Sequence, residues 1–494
     1  MSTSNARGGL LRAVVNYGLG SYVPQLVNFL LLPVYTHFMP PAEQGALEIC
    51  VTAQTLLVIG MRLGLPGSVT RFYYDHKETP ALKDQVTTVA LAVVASSALM
   101  TTVAMLLGPL LFARWFPDVP FHPLMDLALT SAFFQAAPDL QRRLIEARQR
   151  SGFAAKLAAA FALTNTAITM TLLVGFHMGA RGVLTSSLVT GVLFAVVAWW
   201  NHRSDLRGHF QMKLLIDSLH YGLPLVPHHA GAWAQQFVGR WVLGAVTTAA
   251  AVGHLGVAAR VASPLMIVTG AFATGYSPLY FGWRSDLSKS EALLAARRVL
   301  RVLMSLGGIA VVGAATLGGS VVRHVLAPSY ADAAPLVGLL AAAAFGHLIY
   351  SAVAAEIFYS KATARISVTF LTASAVNLTV VWLFARQYGA VAAALAQLAG
   401  AVVSLALSCG MAVSTFPLPL EPRSLVASVV VAGTSCVLAP RLASSNAAID
   451  VLQNAFACVV LGLALVTVAG THRELGHDLR SLVGRRLRRA RTSA

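Results

Sequence analysis

Charge is scarce in this chain, because Asp, Glu, Lys and Arg together make up only 11% of its 494 residues. A soluble domain carries about 25% charged residues, most of them on its surface. Hydrophobic residues make up 56% of the chain, and the mean hydropathy is +0.69. This composition excludes an ordinary soluble domain and indicates a membrane protein.

Cysteine is also rare, and the motifs of several enzyme classes are missing. The four cysteines lie in apolar segments, without the spacing of a metal site or a redox pair. A Gly-rich phosphate loop, a G-x-S-x-G nucleophile motif and an H-E-x-x-H motif are all absent from the sequence. We therefore expect a protein that is not an enzyme and that has no disulfide framework, metal site or cofactor.

Long apolar runs, in contrast, are abundant. Many have roughly 20 residues, which is enough for an α-helix to cross a bilayer core about 30 Å thick. Residues 87–112 and 451–470 are the clearest examples. Breaks between these runs predict about 14 transmembrane helices. We expect an all-α polytopic membrane protein.

Basic residues give the chain a formal net charge of +17 and are concentrated in alternate loops. With the N-terminus placed in the cytoplasm, 28 of the 36 Lys and Arg residues fall in inside loops or tails, and five fall in outside loops. This bias follows the positive-inside rule and predicts that both termini are cytoplasmic. The charge is therefore a topology signal, and we expect no nucleic acid partner.

Two pairs of similar segments indicate an internal duplication. Residues 16–25 resemble 220–229, and residues 177–188 resemble 387–398, at nearly equal offsets. Six spans per copy give both copies the same orientation, as in two-lobed transporters that bind substrate between their lobes. The predicted domains are 1–200 for the first lobe (spans 1–6), 201–218 for a cytoplasmic linker, 219–416 for the second lobe (spans 7–12), 417–470 for spans 13 and 14, and 471–494 for a basic cytoplasmic tail.

Polar residues recur at helical spacing in spans 1, 2, 7 and 8, so each set lies on one face of its helix. The Ser, Thr, Gln and Asn members suit either contacts between packed helices or the lining of a wet cavity. Arg62, Arg240 and Arg260 need a stronger reason, since a charge at the bilayer centre costs roughly 2.5–3.5 kcal/mol. A guanidinium binds phosphate and carboxylate groups through paired hydrogen bonds, so these arginines predict an anionic substrate.

Two acidic residues within spans, Glu48 and Asp139, are candidates for ion coupling. Glu48 and Arg62 are on the same helix but about 21 Å apart at 1.5 Å per residue, which is too far for a direct ion pair. Asp139 is close in sequence to Arg142 and Arg143. That proximity favours a salt-bridged helix end over a proton site.

Four segments resemble the Wzx-type flippases of polysaccharide biosynthesis, a branch of the multidrug/oligosaccharidyl-lipid/polysaccharide exporter superfamily. They are "LLLPVYTHFMPPAEQGALEI" (30–49), "LGLPGSVTRFYYD" (63–75), "ATGYSPLYF" (273–281) and residues 366–398. The resemblance implies two six-helix lobes plus two C-terminal helices, with a central cationic cavity. It also implies that undecaprenyl-pyrophosphate-linked oligosaccharide repeat units are moved from the cytoplasmic to the periplasmic leaflet of the bacterial inner membrane.

One departure from this family concerns span 7. Relatives commonly have an Asp directly before the arginine of this span, where the present chain has Gly239. Arg240 is therefore either free to meet a substrate anion or paired with another acid.

In this interpretation Arg62, Arg240 and Arg260 bind the pyrophosphate. Sugar hydroxyls are assigned to a second set of side chains: Gln25, Asn28, His229 and Gln236. The expected partners are the lipid-linked oligosaccharide, membrane lipids, a polysaccharide polymerase and export machinery. Two alternatives stay open, namely a drug or small-molecule exporter of the same superfamily and a membrane polysaccharide polymerase or ligase. The cationic spans disfavour the first, and short outside loops such as 113–123 disfavour the second.

Overall fold

A computed structural model of the protein describes residues 27, 29–76, 81–360, 363–414, 416–417 and 420–468. All regular elements in these ranges are helical. The α-helices are α1 (Leu32–Phe38), α2 (Pro41–Arg62), α3 (Leu65–His76), α4 (Ala81–Trp115), α5 (Leu124–Phe134), α6 (Ala136–Ala147), α7 (Ser151–Met170), α8 (Gly179–His202), α9 (Met212–Gly222), α10 (Val226–Val246), α11 (Ala249–Asp286), α12 (Lys289–Gly313), α13 (Gly319–His324), α14 (Ala334–Tyr359), α15 (Thr363–Tyr388), α16 (Ala390–Val413), α17 (Pro422–Leu438) and α18 (Ala447–Val468).

The predicted fold class is confirmed. Within the described ranges, ten helical segments are long and apolar enough to cross a membrane, and α17 is a shorter apolar helix. Two of the ten segments continue through a π-helical turn, at Thr171–Gly175 and at Ala314–Gly318. The first predicted span, centred on residue 24, lies outside the described residues.

Helix ends follow local sequence signals. Ser288 and Glu291 form the capping box that their spacing predicts, with the Ser288 hydroxyl accepting from the Glu291 amide. The helix that they start was expected to be a separate surface helix. That expectation was wrong, because α12 runs from this cap directly into the spanning segment Lys289–His324.

Proline marks the predicted break before span 7. Helix α9 ends at Gly222, a 3₁₀ turn covers Leu223–Leu225, and α10 begins at Val226 with a proline in its first turn. Gly222 lies against Gly64, the residue after the left-handed end of α2. A Cβ atom on Gly64 would lie 2.3 Å from the Gly222 carbonyl oxygen, so only glycine fits there.

The first compact unit contains the described residues up to Arg260 together with Asn377–Ala393. Within it α2 packs against α4 and α10, α3 packs against α6, and α5 packs against α8. Helix α2 is 56% buried over its apolar window, whereas α4 is only 17% buried and exposes leucines such as Leu99 and Leu106. Helix α2 is thus an interior helix, and α4 has a lipid-facing surface.

The second compact unit contains Val261–Val376 and the described residues from Ala394 onward. Its helix α12 packs against α14, α17 and α18, and α14 is the most buried spanning segment in the described chain, at 72%. Glu356 on α14 accepts hydrogen bonds from Arg284 and from the Tyr280 hydroxyl on α11, at 2.9 and 2.5 Å. The predicted lobes divide the sequence elsewhere and stay a prediction.

Candidate functional site

Two helices of the first unit, α2 and the part of α11 up to Arg260, cross at glycines. A Cβ atom on Gly45 would lie 1.7 Å from the carbonyl oxygen of Ala249, and one on Gly253 would lie 2.0 Å from that of Pro41. Since no side chain fits at these positions, the two backbones are in direct contact. This contact determines which residues face each other one turn further along.

Glu48 lies one turn after Gly45 and contacts two arginines. Its Oε1 atom is 2.5 Å from Nη2 of Arg260, and its Oε2 atom is 3.2 Å from Nη1 of Arg240. Gly256 makes room for the carboxylate, because a Cβ atom there would lie 2.9 Å from the Glu48 side chain. One carboxylate therefore bridges arginines from α10 and α11, and Glu48 takes the place of the acid that is missing at Gly239.

The Glu48 cluster, defined as Glu48, Arg240 and Arg260, has one negative and two positive charges. The exposed fractions of these side chains are 7%, 16% and 30%. With its amide oxygen toward Arg260, Gln44 accepts hydrogen bonds from Nη1 and Nη2 at 2.5 and 3.1 Å. The cluster keeps a surplus of one positive charge, and Arg260 is its most accessible member.

A cavity of about 430 Å³ lies beside the cluster, and both Glu48 and Arg260 line it. The other polar residues that line it are neutral: Tyr35, Gln44, Gln54, Thr55, Gln135, Asn165 and Ser187. The remaining lining is aliphatic, as at Leu47 and Val51. Apolar walls with a few convergent polar groups are typical of a binding site for a small molecule or headgroup.

Hydrogen bonds hold parts of the cavity wall in place. The Gln54 amide donates to the Ala128 carbonyl at 2.8 Å and to the Ser131 hydroxyl at 2.9 Å. The Trp233 indole donates to the Thr55 hydroxyl at 3.1 Å. These contacts restrict rotamers before any ligand binds, which reduces the entropy that binding would remove.

Arg62 occupies a different environment in the same unit. Its guanidinium lies 3.2 Å from Asp139, and it also donates to the Ala132 carbonyl at 3.0 Å and to Ser97 at 3.3 Å. Arg142 and Arg143, the partners expected for Asp139, instead lie within ion-pair distance of Glu146. Arg62 is thus a balanced pair with Asp139, and that pair was not foreseen because the two residues lie on different helices.

The remaining predicted site residues are scattered. Gln25 and Asn28 lie outside the described residues, while His229 and Gln236 are exposed on α10. The sequence interpretation missed five cavity residues: Gln44, Gln54, Gln135, Asn165 and Ser187. Gln44 carried a usable signal, because it precedes Glu48 by four residues on the same helix face.

The sequence profile of the family described as polysaccharide biosynthesis protein matches residues 10–280, which is more than half of the chain. No curated protein matches the chain by sequence. Among solved structures, the lipid II flippase MurJ in an inward closed conformation matches with a TM-score of 0.72 and 13% identity. The match covers 93% of this chain and 99% of that one.

Two multidrug transporters show the same fold. An inward-facing multidrug resistance transporter of the MATE family matches with a TM-score of 0.63 and 12% identity, over 81% of this chain and 98% of that one. The Vibrio cholerae MATE transporter VcmN in its bent form matches with a TM-score of 0.52 and 16% identity, over 85% and 99%. At these identities the likeness shows the shared transporter fold alone.

Proposed function

The chain belongs to the polysaccharide biosynthesis protein family, and we propose that it is a flippase for undecaprenyl-pyrophosphate-linked oligosaccharide repeat units. In this proposal it moves them from the cytoplasmic to the periplasmic leaflet of the bacterial inner membrane, by alternating access of its predicted lobes and with both termini in the cytoplasm. A polysaccharide polymerase and export machinery would receive the product.

The observation that carries this proposal is the charge of the Glu48 cluster at the cavity. Two arginines share one carboxylate within apolar spanning helices, so the site has a surplus positive charge where a charge is costly. A polyprenyl pyrophosphate compensates that surplus, because its phosphate oxygens accept paired hydrogen bonds from a guanidinium.

The exposure of the three arginines orders their roles. Arg260 lines the cavity and makes the first contact with the pyrophosphate, and the more buried Arg240 joins it. The predicted role of Arg62 requires the pyrophosphate to replace Asp139, its present partner. Neutral residues of the cavity wall, such as Gln54 and Asn165, bind sugar hydroxyls in this proposal.

Glu48 is the proposed coupling residue, since it competes with the substrate for both arginines. While Glu48 is ionised it occupies the guanidinium groups, and protonation releases them to the pyrophosphate. Exchange between the two anions therefore links the charge of Glu48 to occupancy of the cavity. Asp139 has the equivalent relation to Arg62.

The test uses the full-length protein in liposomes with a fluorescent undecaprenyl-pyrophosphate oligosaccharide. Quenching by a membrane-impermeant reductant measures how much of the lipid has crossed to the inner leaflet. We expect the variant with Arg62, Arg240 and Arg260 all changed to Ala to lose flipping. Arg114→Ala, an exposed position near the end of α4, is the control. Normal flipping by the triple variant contradicts the proposal.

The alternative of a cation-drug exporter needs an excess of carboxylates. Among the residues that line the described cavity, Glu48 is the acid and Arg260 the base, and Arg240 adds a second base behind them. This balance supports an anionic cargo. Proton-driven uptake of a cationic dye, with no flipping of the lipid-linked sugar, would decide for the exporter.

A further inference from the structure

A second cavity of the first unit lies apart from the Glu48 cluster, among α4, α6 and α8. Its volume is about 190 Å³ and its walls are apolar, with Val93, Leu140 and Leu144 among the lining residues. A cavity of about 150 Å³ is large enough to hold a molecule such as benzene. This one therefore has room for a stretch of hydrocarbon chain.

The cavity lies next to a lipid-facing surface. Val94 on α4 and Trp199 on α8 both line it, and their exposed fractions are 48% and 57%. Their helices are spanning segments whose apolar windows are 17% and 39% buried. Since the surface of such helices faces lipid in a membrane, a lipid chain reaches the cavity without leaving the bilayer.

Two polar side chains in this apolar cavity have no partner for a buried atom within the described protein. Both the amide nitrogen and the amide oxygen of Gln141 are buried and unpaired, and the residue is 1% exposed. The Nδ1 atom of His202 lies 2.8 Å from Asp205, while its buried Nε2 atom is unpaired. Buried polar groups without partners are rare and costly, so the cavity is suited to a ligand that offers hydrogen-bonding groups as well as hydrocarbon.

The polar end of the cavity is surrounded by positive charge. Gln141, His202 and Leu206, which all line it, are each followed directly in sequence by an exposed arginine. These arginines are Arg142, Arg203 and Arg207. The positive-inside rule assigns this end of the helices to the cytoplasm, and basic pockets between spanning helices on that side suit anionic lipid headgroups.

We propose that this cavity binds one acyl chain of an anionic phospholipid from the inner leaflet. The chain fills the apolar space, and a fatty-ester carbonyl accepts a hydrogen bond from the Gln141 amide. With the proton of His202 on Nδ1 facing Asp205, Nε2 accepts from a headgroup hydroxyl. The arginines hold the phosphate. The site is independent of the proposed transport activity, because it shares no residue with the Glu48 cluster or its cavity.

The experiment uses the full-length protein in liposomes that contain phosphatidylglycerol with a photoreactive diazirine in one acyl chain. Irradiation followed by peptide mass spectrometry locates the labelled residues. We expect label on α4, α6 and α8, and about tenfold less of it in the variant Ala90→Leu with Ala137→Leu, because the added side-chain volume fills the cavity. Ala98→Leu, an exposed position on α4 that does not line the cavity, is the matched control and keeps full labelling.

Three comparisons make the test decisive. A phosphatidylcholine probe with the same diazirine should label these helices more weakly than phosphatidylglycerol, and Gln141→Leu should reduce labelling without lowering the melting temperature in detergent. Equal labelling by both lipids, or unchanged labelling of the filled variant, overturns the proposal. Displacement of the label by undecaprenyl phosphate but not by unlabelled phosphatidylglycerol assigns the cavity to the substrate tail and also overturns it.

Discussion

The Glu48 cluster and the Arg62–Asp139 pair both hold arginine within the helices of the first unit, yet their charge balance differs. Glu48 is shared by Arg240 and Arg260, which leaves a surplus positive charge beside a cavity. Arg62 has a carboxylate of its own and further partners in Ser97 and the Ala132 carbonyl. One arrangement has an unmet demand for an anion, and the other is complete.

This contrast shows that an arginine within a span is not by itself a substrate ligand. The deciding quantities are the number of carboxylates within reach and the access of the guanidinium to a cavity. Arg62 is 10% exposed, against 30% for Arg260. A buried pair is strongly disturbed when one partner is removed, so loss of function at Arg62 has a structural explanation that must be separated from a binding role.

The largest expected effect is at Arg260. Arg260→Ala should lower flipping of the lipid-linked sugar by roughly 10–100-fold, because a hydrogen bond to a charged group is worth about 1.5–3 kcal/mol. The liposome assay measures this effect. Arg260→Lys keeps the charge but loses the planar fork, so its activity should lie between the two. Flipping by Arg260→Ala at the wild-type rate would remove the basis for distinguishing the two regions.

A smaller effect is expected from the glycine that accommodates Glu48. Gly256→Ala places a Cβ atom 2.9 Å from the flexible Glu48 side chain. The carboxylate must move, and we expect flipping to fall by about tenfold, as for the loss of about 1.4 kcal/mol, while the protein still folds. Size-exclusion profiles and the liposome assay report the two quantities separately.

Two matched substitutions frame this prediction. Gly45→Ala meets a backbone carbonyl at 1.7 Å and should prevent correct folding, whereas Gly231→Ala has no neighbour within 4 Å and should change nothing. If Gly256→Ala fails in the same way as Gly45→Ala, the glycine supports the helix crossing and not the carboxylate.

The Arg62–Asp139 pair should tolerate neutral replacement as a unit. Arg62→Met combined with Asp139→Leu removes both charges together, and replacing a buried ion pair by apolar residues is often neutral or stabilising by about 1–4 kcal/mol. We expect the double variant to keep flipping within about threefold, while Arg62→Met alone loses protein yield because Asp139 is left unpaired. A folded double variant without flipping would give Arg62 the binding role that the sequence predicted.

The smallest effect concerns an ion pair outside the spanning helices, which serves as a reference for both regions. Although burial alone raises the pKa of Asp205, hydrogen bonds from His202 and Arg148 lower that pKa to about 2 from 3.8. Because the pKa is lower in the folded state, the stabilisation is complete above about pH 4 and is lost as the pH falls toward 2.

Melting temperatures in detergent between pH 5 and pH 2.5 test this reference pair. Asp205→Asn should flatten the acid-induced decrease and leave flipping at pH 7 unchanged. A steep decrease in the Asn variant would mean that other carboxylates, in the two regions compared above, cause the acid sensitivity.

Much of the fold follows from local properties of the sequence. Apolar runs of membrane-spanning length predicted the helices, the spacing of Ser288 and Glu291 predicted a cap, and Pro224 and Pro227 predicted a break. These features depend on residues within a few turns of each other. The separate surface helix at the start of α12 was predicted wrongly, since nothing in a polar first turn tells whether the helix then enters the membrane.

The partners of the arginines were beyond local reasoning. Arg62 meets a carboxylate 77 residues away, and Arg240 and Arg260 meet one that is 192 and 212 residues away. Gly45, Gly253 and Gly256 were the visible signal for the second contact, because small residues allow helices to approach closely. Their spacing alone does not say which helices meet.

The sequence by itself determined an all-α membrane protein with three arginines in its spans, because hydropathy and helical periodicity act along the chain. The tertiary structure decided how these arginines are used. Close contact between α2 and α11 puts a single carboxylate between Arg240 and Arg260, and the packing of α2 beside α6 gives Arg62 an acid of its own. Coulomb energy depends on distance in space, and these distances exist only once the helices have packed.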